Sequence, residues 1–182
     1  KLYPHVRVDV LTDDTFTDLV GEGVDLAFRI GTLVDSSLMA KKVGEAPRAL
    51  WAAPDYLEAR GTPQHPRDLT QHDAVMFRQT ATNEWVLSRD GETVSVKVDG
   101  RFKASSGDLL LQAAQNGLGL FLSASWLVSD CVNDGSLVRV MPEWTATPSP
   151  IHCVWTSGKL RGKAKLFAEH VADALRFETQ AC

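Results

Sequence analysis

The sequence predicts an α/β fold in which a second lobe is inserted into the first. Three observations carry this expectation. Short apolar runs alternate with helical stripes toward both ends of the chain. A meander of short strands interrupts that alternation between Ala74 and Ala104. A stripe at helical spacing (Leu160, Ala164, Phe167, Val171, Leu175) then closes the chain. With 182 residues, 44% of them hydrophobic and 23% charged, the chain has the length for two small lobes and the apolar content for a core.

Val6 to Val10 alternates strictly and predicts a strand. Thr15-x-x-Asp18 resembles a capping box and opens a short helix with Phe16, Leu19 and Val20 on its apolar face, ended by Gly21 and Gly23. Val24 to Ile30 predicts a buried strand parallel to the first, so that strand, helix and strand form a right-handed βαβ unit. Arg48 to Ala53 is a further strand, and Pro54 starts the helix PDYLEARG with proline in its first turn. PQHPRDLTQH is a proline-punctuated turn with a second short helix.

Ala74 to Phe77 reads as a strand, and Glu84–Ser88 and Thr93–Val98 flank Arg89-Asp90-Gly91-Glu92 as a hairpin. Asp99-Gly100 turns the chain into Arg101–Ala104. Leu109, Leu110, Ala113 and Ala114 form one helical face, and Asn116-Gly117 stops that helix. Leu118–Leu122 predicts a strand, Ser123–Ser129 a helix and Leu137–Val140 a strand. Pro142, Pro148 and Pro150 make a stiff connection before the strand Ile151–Trp155.

Several function classes are disfavoured by composition and spacing. The formal charge of −4 gives no basic footprint for nucleic acid, so contact with DNA would need another segment. No run of 18 apolar residues exists to span a membrane. Cys131, Cys153 and Cys182 are an odd set without regular spacing, which argues against a disulfide framework and for a reducing cytoplasm. The five histidines share no metal-ligand spacing, so no metal is expected. No serine lies in a nucleophile elbow, and Gly117-Leu118-Gly119 lacks the third glycine of a dinucleotide site, so neither catalysis nor a cofactor is expected.

The order VDLAFRIGTLVDSSLMAKKVG, APDYLEARGTPQHPRDLTQH, QAAQNGLGL and DGSLVRVMPEW resembles the effector-binding domain of LysR-type transcriptional regulators over essentially the whole chain. PDYLEARGTPQHPRDLTQH is its most specific part. The resemblance implies a two-lobed fold similar to type 2 periplasmic binding proteins, each lobe a mixed sheet flanked by helices and joined by two hinge strands. Residues 1–74 and 151–182 are then expected to form lobe I, without the family's first strand and helix, and residues 75–150 lobe II. It further implies a small effector, a carboxylate or aromatic acid, held between the lobes. A winged helix-turn-helix ahead of this chain would bind promoter DNA, and the protein would assemble as a homodimer or homotetramer without a membrane. Leu122-Ser123-Ala124-Ser125-Trp126 departs from the family, which usually carries a proline before the aromatic helix.

Four places are candidate ligand contacts. Ser105, Ser106 and Gly107 open a helix whose unpaired N–H groups and roughly half positive charge suit a carboxylate; the plainer reading is a capping box from Ser105 to Asp108. Arg29 ends an apolar strand and needs a partner, either Asp25 or Asp35 or an effector's charge, while Ile30, Gly31 and Thr32 follow at the strand end and offer backbone and hydroxyl groups. Phe77 and Arg78 sit at another strand end, with hinge packing as the alternative. Phe121 and Trp126 suit an apolar pocket wall or the core. The resulting expectation is a ligand-sensing and oligomerisation domain. A periplasmic solute-binding protein of a transporter is the alternative, and an enzyme on the same scaffold the weakest option.

Overall fold

Pairing, more than local propensity, decides which apolar runs of this chain become strands. The computed structural model of the chain describes residues 3–12, 18–33, 37–78, 80, 82–156 and 158–179. They fall into two compact units, Lys1–Ala46 with Ser149–Cys182, and Pro47–Pro148.

In the first unit, β1 (Ala27–Ile30) pairs antiparallel with the second half of β9 (Thr145–Trp155), Ala27 facing Val154 and Ile30 facing Ile151. Phe28 turns its ring edge-on to Phe167 of α4 (Gly162–Thr179), at 6.2 Å between centroids. Ala168 and Ala172 of α4 are buried, which is the helical stripe the sequence shows, displaced by one residue. Gly44 sits where an added Cβ would lie 3.5 Å from Leu175.

Three expectations for this region are corrected. Val6–Val10 forms no ladder, and Val10 stays 68% exposed. Alternation makes a strand possible, but only a partner supplies its hydrogen bonds. Among the described residues β1 therefore has no parallel neighbour and no βαβ unit is seen; its partner is β9, antiparallel. The helix expected from Thr15 falls mostly outside the described residues. Within them, Asp18 accepts the Val20 N–H at 3.1 Å, and residues 19–23 make turns, with Leu19 buried.

The second unit is a mixed sheet with helices on it. Its strands run in the order β5 (Glu92–Lys97), β4 (Glu84–Arg89), β9, β2 (Met39–Ala52), β7 (Leu120–Ala124), β3 (Asp73–Phe77) and β6 (Asp99–Ala104), with β8 (Val138–Val140) also on β2. β2 (Met39–Ala52) enters this unit at Pro47, and Ala49–Ala52 are all buried, as expected of a central strand. It pairs antiparallel with β7 (Leu120–Ala124), Leu50 facing Leu122. β3 (Asp73–Phe77) lies parallel to both β7 and β6 (Asp99–Ala104). β4 (Glu84–Arg89) and β5 (Glu92–Lys97) form the expected hairpin; Asp90 at φ 49° and Gly91 at φ 85° give the two left-handed positions of its tight turn.

α1 (Pro54–Arg60) belongs to this unit. Its Tyr56 is buried, and the phenolic oxygen accepts the Asp73 N–H at 3.0 Å and lies 3.1 Å from His72 Nδ1. These bonds tie α1 to the start of β3 within the unit Pro47–Pro148. The 3-10 turn Pro66–Gln71 follows, capped by His65, with Asp68 accepting the His65 and Gln64 N–H groups. Those two donors hold the Asp68 carboxyl below its ordinary range. Phe121, Trp144, Leu50, Leu110 and Leu120 fill the centre of the core. Trp144 carries the Arg89 guanidinium over its ring at 4.6 Å.

Three more expectations change here. Asp99-Gly100 is the irregular start of β6 instead of a free turn: a Cβ on Gly100 would lie 1.7 Å from the Ala74 carbonyl oxygen, so only glycine lets the strands close. Pro148 and Pro150 lie inside β9, between its pairing to β4 at residues 145–146 and to β1 at residues 151–154. Finally, Ser123 and Ala124 remain in β7, and the helix expected from Ser123 divides into a 3-10 turn (Ser125–Val128) and α3 (Ser129–Asn133).

Candidate effector-binding site

Three parallel strands, β6, β3 and β7, end side by side in the second unit. Phe77 is the register partner of Ala104, and the Arg78 N–H donates to the Ala104 carbonyl at 2.9 Å. This pairing sets Phe77 and Arg78 beside Ser105 and Ser106, nearly thirty residues later in sequence. α2 (Gly107–Gln115) starts at the same edge. Carboxyl ends of parallel strands meeting a helix N-terminus are where open α/β sheets take ligands, and the helix end supplies positive potential there.

The cap of α2 is Ser106: its hydroxyl accepts the Leu109 N–H at 3.4 Å. The capping box expected from Ser105 to Asp108 is corrected by one residue, because Ser106 holds the extended backbone of the cap while Asp108 is exposed in the first turn. Ser105 and Ser106 are half-buried, and Gly107 is buried. Phe77 is half-buried and Arg78 exposed. Phe121 packs under Phe77 with ring centroids 6.4 Å apart and is 0% exposed. Its position is core, so it offers no surface to a ligand. Trp126, by contrast, is 56% exposed on the 3-10 turn after β7.

In the first unit, Arg29 faces His152 across the β1–β9 ladder, and neighbouring cross-strand positions share a face of the sheet. His152 Nδ1 is buried without a partner among the described residues. Sequence reading passed over this histidine as one of a scattered set; the register makes it Arg29's neighbour. Asp35, one of the partners weighed for Arg29, lies outside the described residues. Ile30 is exposed, as is Thr32. Gly31 sits at φ 104° and its N–H donates to the Pro150 carbonyl at 2.8 Å, so that donor is already used.

Among the described residues, no cluster of histidine, cysteine or acidic side chains could hold a metal ion, and no helix is long and apolar enough to cross a membrane. Cys131 and Cys153 are free and buried, and burial pushes the Cys153 thiol above its ordinary pKa. That is the direction of an inert thiol.

The fold and this edge define an α/β ligand-binding domain of the type 2 periplasmic-binding-protein kind. Residues 1–176 match the LysR substrate binding domain model, and the chain belongs to that family, the effector-binding part of LysR-type transcriptional regulators. It is 34% identical over 154 residues to an HTH-type transcriptional regulator of Haemophilus influenzae, a stretch covering 84% of this chain and 54% of that protein. It superposes on the regulatory domain of CrgA, a LysR-type regulator of Neisseria meningitidis, with a TM-score of 0.76 and 28% identity, covering 96% of this chain and 86% of that one. It is also similar to the full-length virulence activator AphB of Vibrio cholerae, with a TM-score of 0.72 and 28% identity over 97% of this chain and 59% of that one. The chain thus spans about half the length of the regulators it matches.

Proposed function

We propose that this chain is the ligand-sensing and oligomerisation domain of a cytoplasmic LysR-type regulator, and that its effector is a small carboxylate or aromatic acid. The observation that carries the ligand class is the edge formed by Phe77, Arg78, Ser105 and Ser106 at the start of α2. Backbone donors, two hydroxyls, one cation and a helix N-terminus all favour a negative group over a neutral one. Arg29 beside His152 is a second candidate contact, in the first unit. An effector that binds one conformation of the chain better than another shifts the population between them, and the regulator reads out that shift. The full protein contacts promoter DNA through a helix-turn-helix domain outside this chain and works as a homodimer or homotetramer; the names of the relatives as HTH-type transcriptional regulators support the first point.

The test is Ser106→Asp. Aspartate caps helices as well as serine does, so the fold is expected to keep its stability. Its charge opposes an anion at the same spot. A panel of small carboxylates screened by thermal shift should yield a ligand whose stabilisation falls at least tenfold in apparent affinity in the variant. A carboxylate ligand that stabilises both proteins equally would overturn the assignment of this edge.

A further inference from the structure

Arg48 was read from the sequence only as the start of a strand, and no part of the site described above uses it. It stands on β2 at the point where that strand enters the second unit, opposite Ala124 of β7. Its Nε donates to the Thr147 carbonyl of β9 at 2.8 Å. One edge of the guanidinium is thereby pinned, and its two terminal nitrogens make no hydrogen bond to another described residue. No carboxylate pairs with Arg48 among the described residues. A half-buried guanidinium without a counter-charge is costly, and burial pulls the Arg48 pKa below its ordinary value.

Arg48 lines a recess of about 40 Å³ whose other walls include Met76, Phe77, Trp85 and Leu122, with Thr80 on its lining. That volume is room for about three water-sized groups, enough for one carboxylate. Its polar side chains besides Arg48 are Thr80 and Thr82, and the Thr80 hydroxyl already donates to the Phe77 carbonyl at 2.8 Å. A single cation matches a single negative charge. A planar two-oxygen anion matches the free fork, whereas a phosphate dianion would need further donors.

We propose that this recess is an anion subsite of the second unit, in which the terminal nitrogens of Arg48 take the carboxylate of a small monocarboxylic acid while its apolar tail lies against Phe77. The inference rests on the effector-sensing reading for its purpose and adds to it a second place for an acid group, which shares Phe77 with the edge at α2. It stands on different side chains from Ser105 and Ser106.

The experiment is a titration of the ¹⁵N-labelled chain with butyrate at constant ionic strength, with butyramide as the neutral isostere. Butyrate is expected to give saturable amide shifts at Met76, Phe77 and Thr80 and at the Trp85 indole, and butyramide none. Arg48→Gln should weaken butyrate at least tenfold, about 1.4 kcal/mol. Arg48→Lys, which keeps the charge and loses the fork, should fall between. Should the Gln variant not fold, the Lys variant and the butyrate–butyramide contrast still decide. Shifts confined to Ser105–Leu109 and unchanged in Arg48→Gln would overturn this subsite and leave the effector reading standing. Equal shifts from butyrate and butyramide, or no saturable shift at residues 75–85, would overturn it as well.

Discussion

Replacing Phe121 by alanine separates a core residue from a pocket wall, because the two roles predict opposite outcomes. Phe121 is 0% exposed between β2 and β3, facing Trp51 and Val75 in the two ladders. A buried phenylalanine removes about 150–250 Å² from water, worth about 4–6 kcal/mol at 25 cal/mol per Å². The methyl that alanine retains and the compactness of the unfolded chain reduce that to about 3–5 kcal/mol, the usual cost of such a cavity. Urea unfolding followed by tryptophan fluorescence suits the purpose. Trp51, Trp85, Trp126 and Trp144 all lie in the second unit, so the signal reports mainly on it. With a slope of about 2 kcal/mol per molar, the midpoint should fall by about 2 M with the slope unchanged. Phe121→Leu should recover most of the loss. A loss under about 1 kcal/mol for Phe121→Ala would refute the core assignment and return Phe121 to the ligand-facing wall.

Two further outcomes follow from the same geometry. Gly100→Ala puts a methyl where the Ala74 carbonyl oxygen already is, so the variant should fail to form the β3–β6 pairing and lose its cooperative unfolding transition; Gly135→Asn, at φ 79° with nothing within 4 Å of its added Cβ, should remain folded as its control. Burial, with Arg60 adding to it, lowers the pKa of His72 below the ordinary 6.5. The unfolded chain then takes up a proton before the folded one does, so stability is unaffected by His72 well above pH 6.5 and declines as the pH falls through 6.5 toward the folded value. His72→Asn should flatten that part of the stability–pH curve, and an unchanged slope would refute the assignment.

The elements of the second unit were legible because their signals are local. A proline opens α1, an Asp-Gly pair sits at the left-handed positions of the β4–β5 turn, and Asn116-Gly117 ends α2. The corrections fall where a partner decides. Val6–Val10 alternates as well as any strand in the chain, yet none of the described residues pairs with it. Pro148 and Pro150 read as a break, yet β9 runs through them, with its ladder to β4 on one side and its ladder to β1 on the other. Gly100 read as a turn because the sequence cannot show that the Ala74 carbonyl lies against it.

The candidate site follows the same division. Ser105, Ser106 and Gly107 could be found because a helix start has a composition of its own. Their company could not: Phe77 and Arg78 reach them only through the parallel register that sets Phe77 against Ala104, and His152 reaches Arg29 only through the antiparallel register of β1 and β9. Arg48 was the hardest to see. In sequence it is one charged residue at the start of an apolar strand, a pattern that ordinarily means a solvated edge. In the structure it is half-buried, its Nε is held by the Thr147 carbonyl, and it lines a recess of about 40 Å³. No acid pairs with it among the described residues, and a missing partner is a property of the fold that no spacing of residues records.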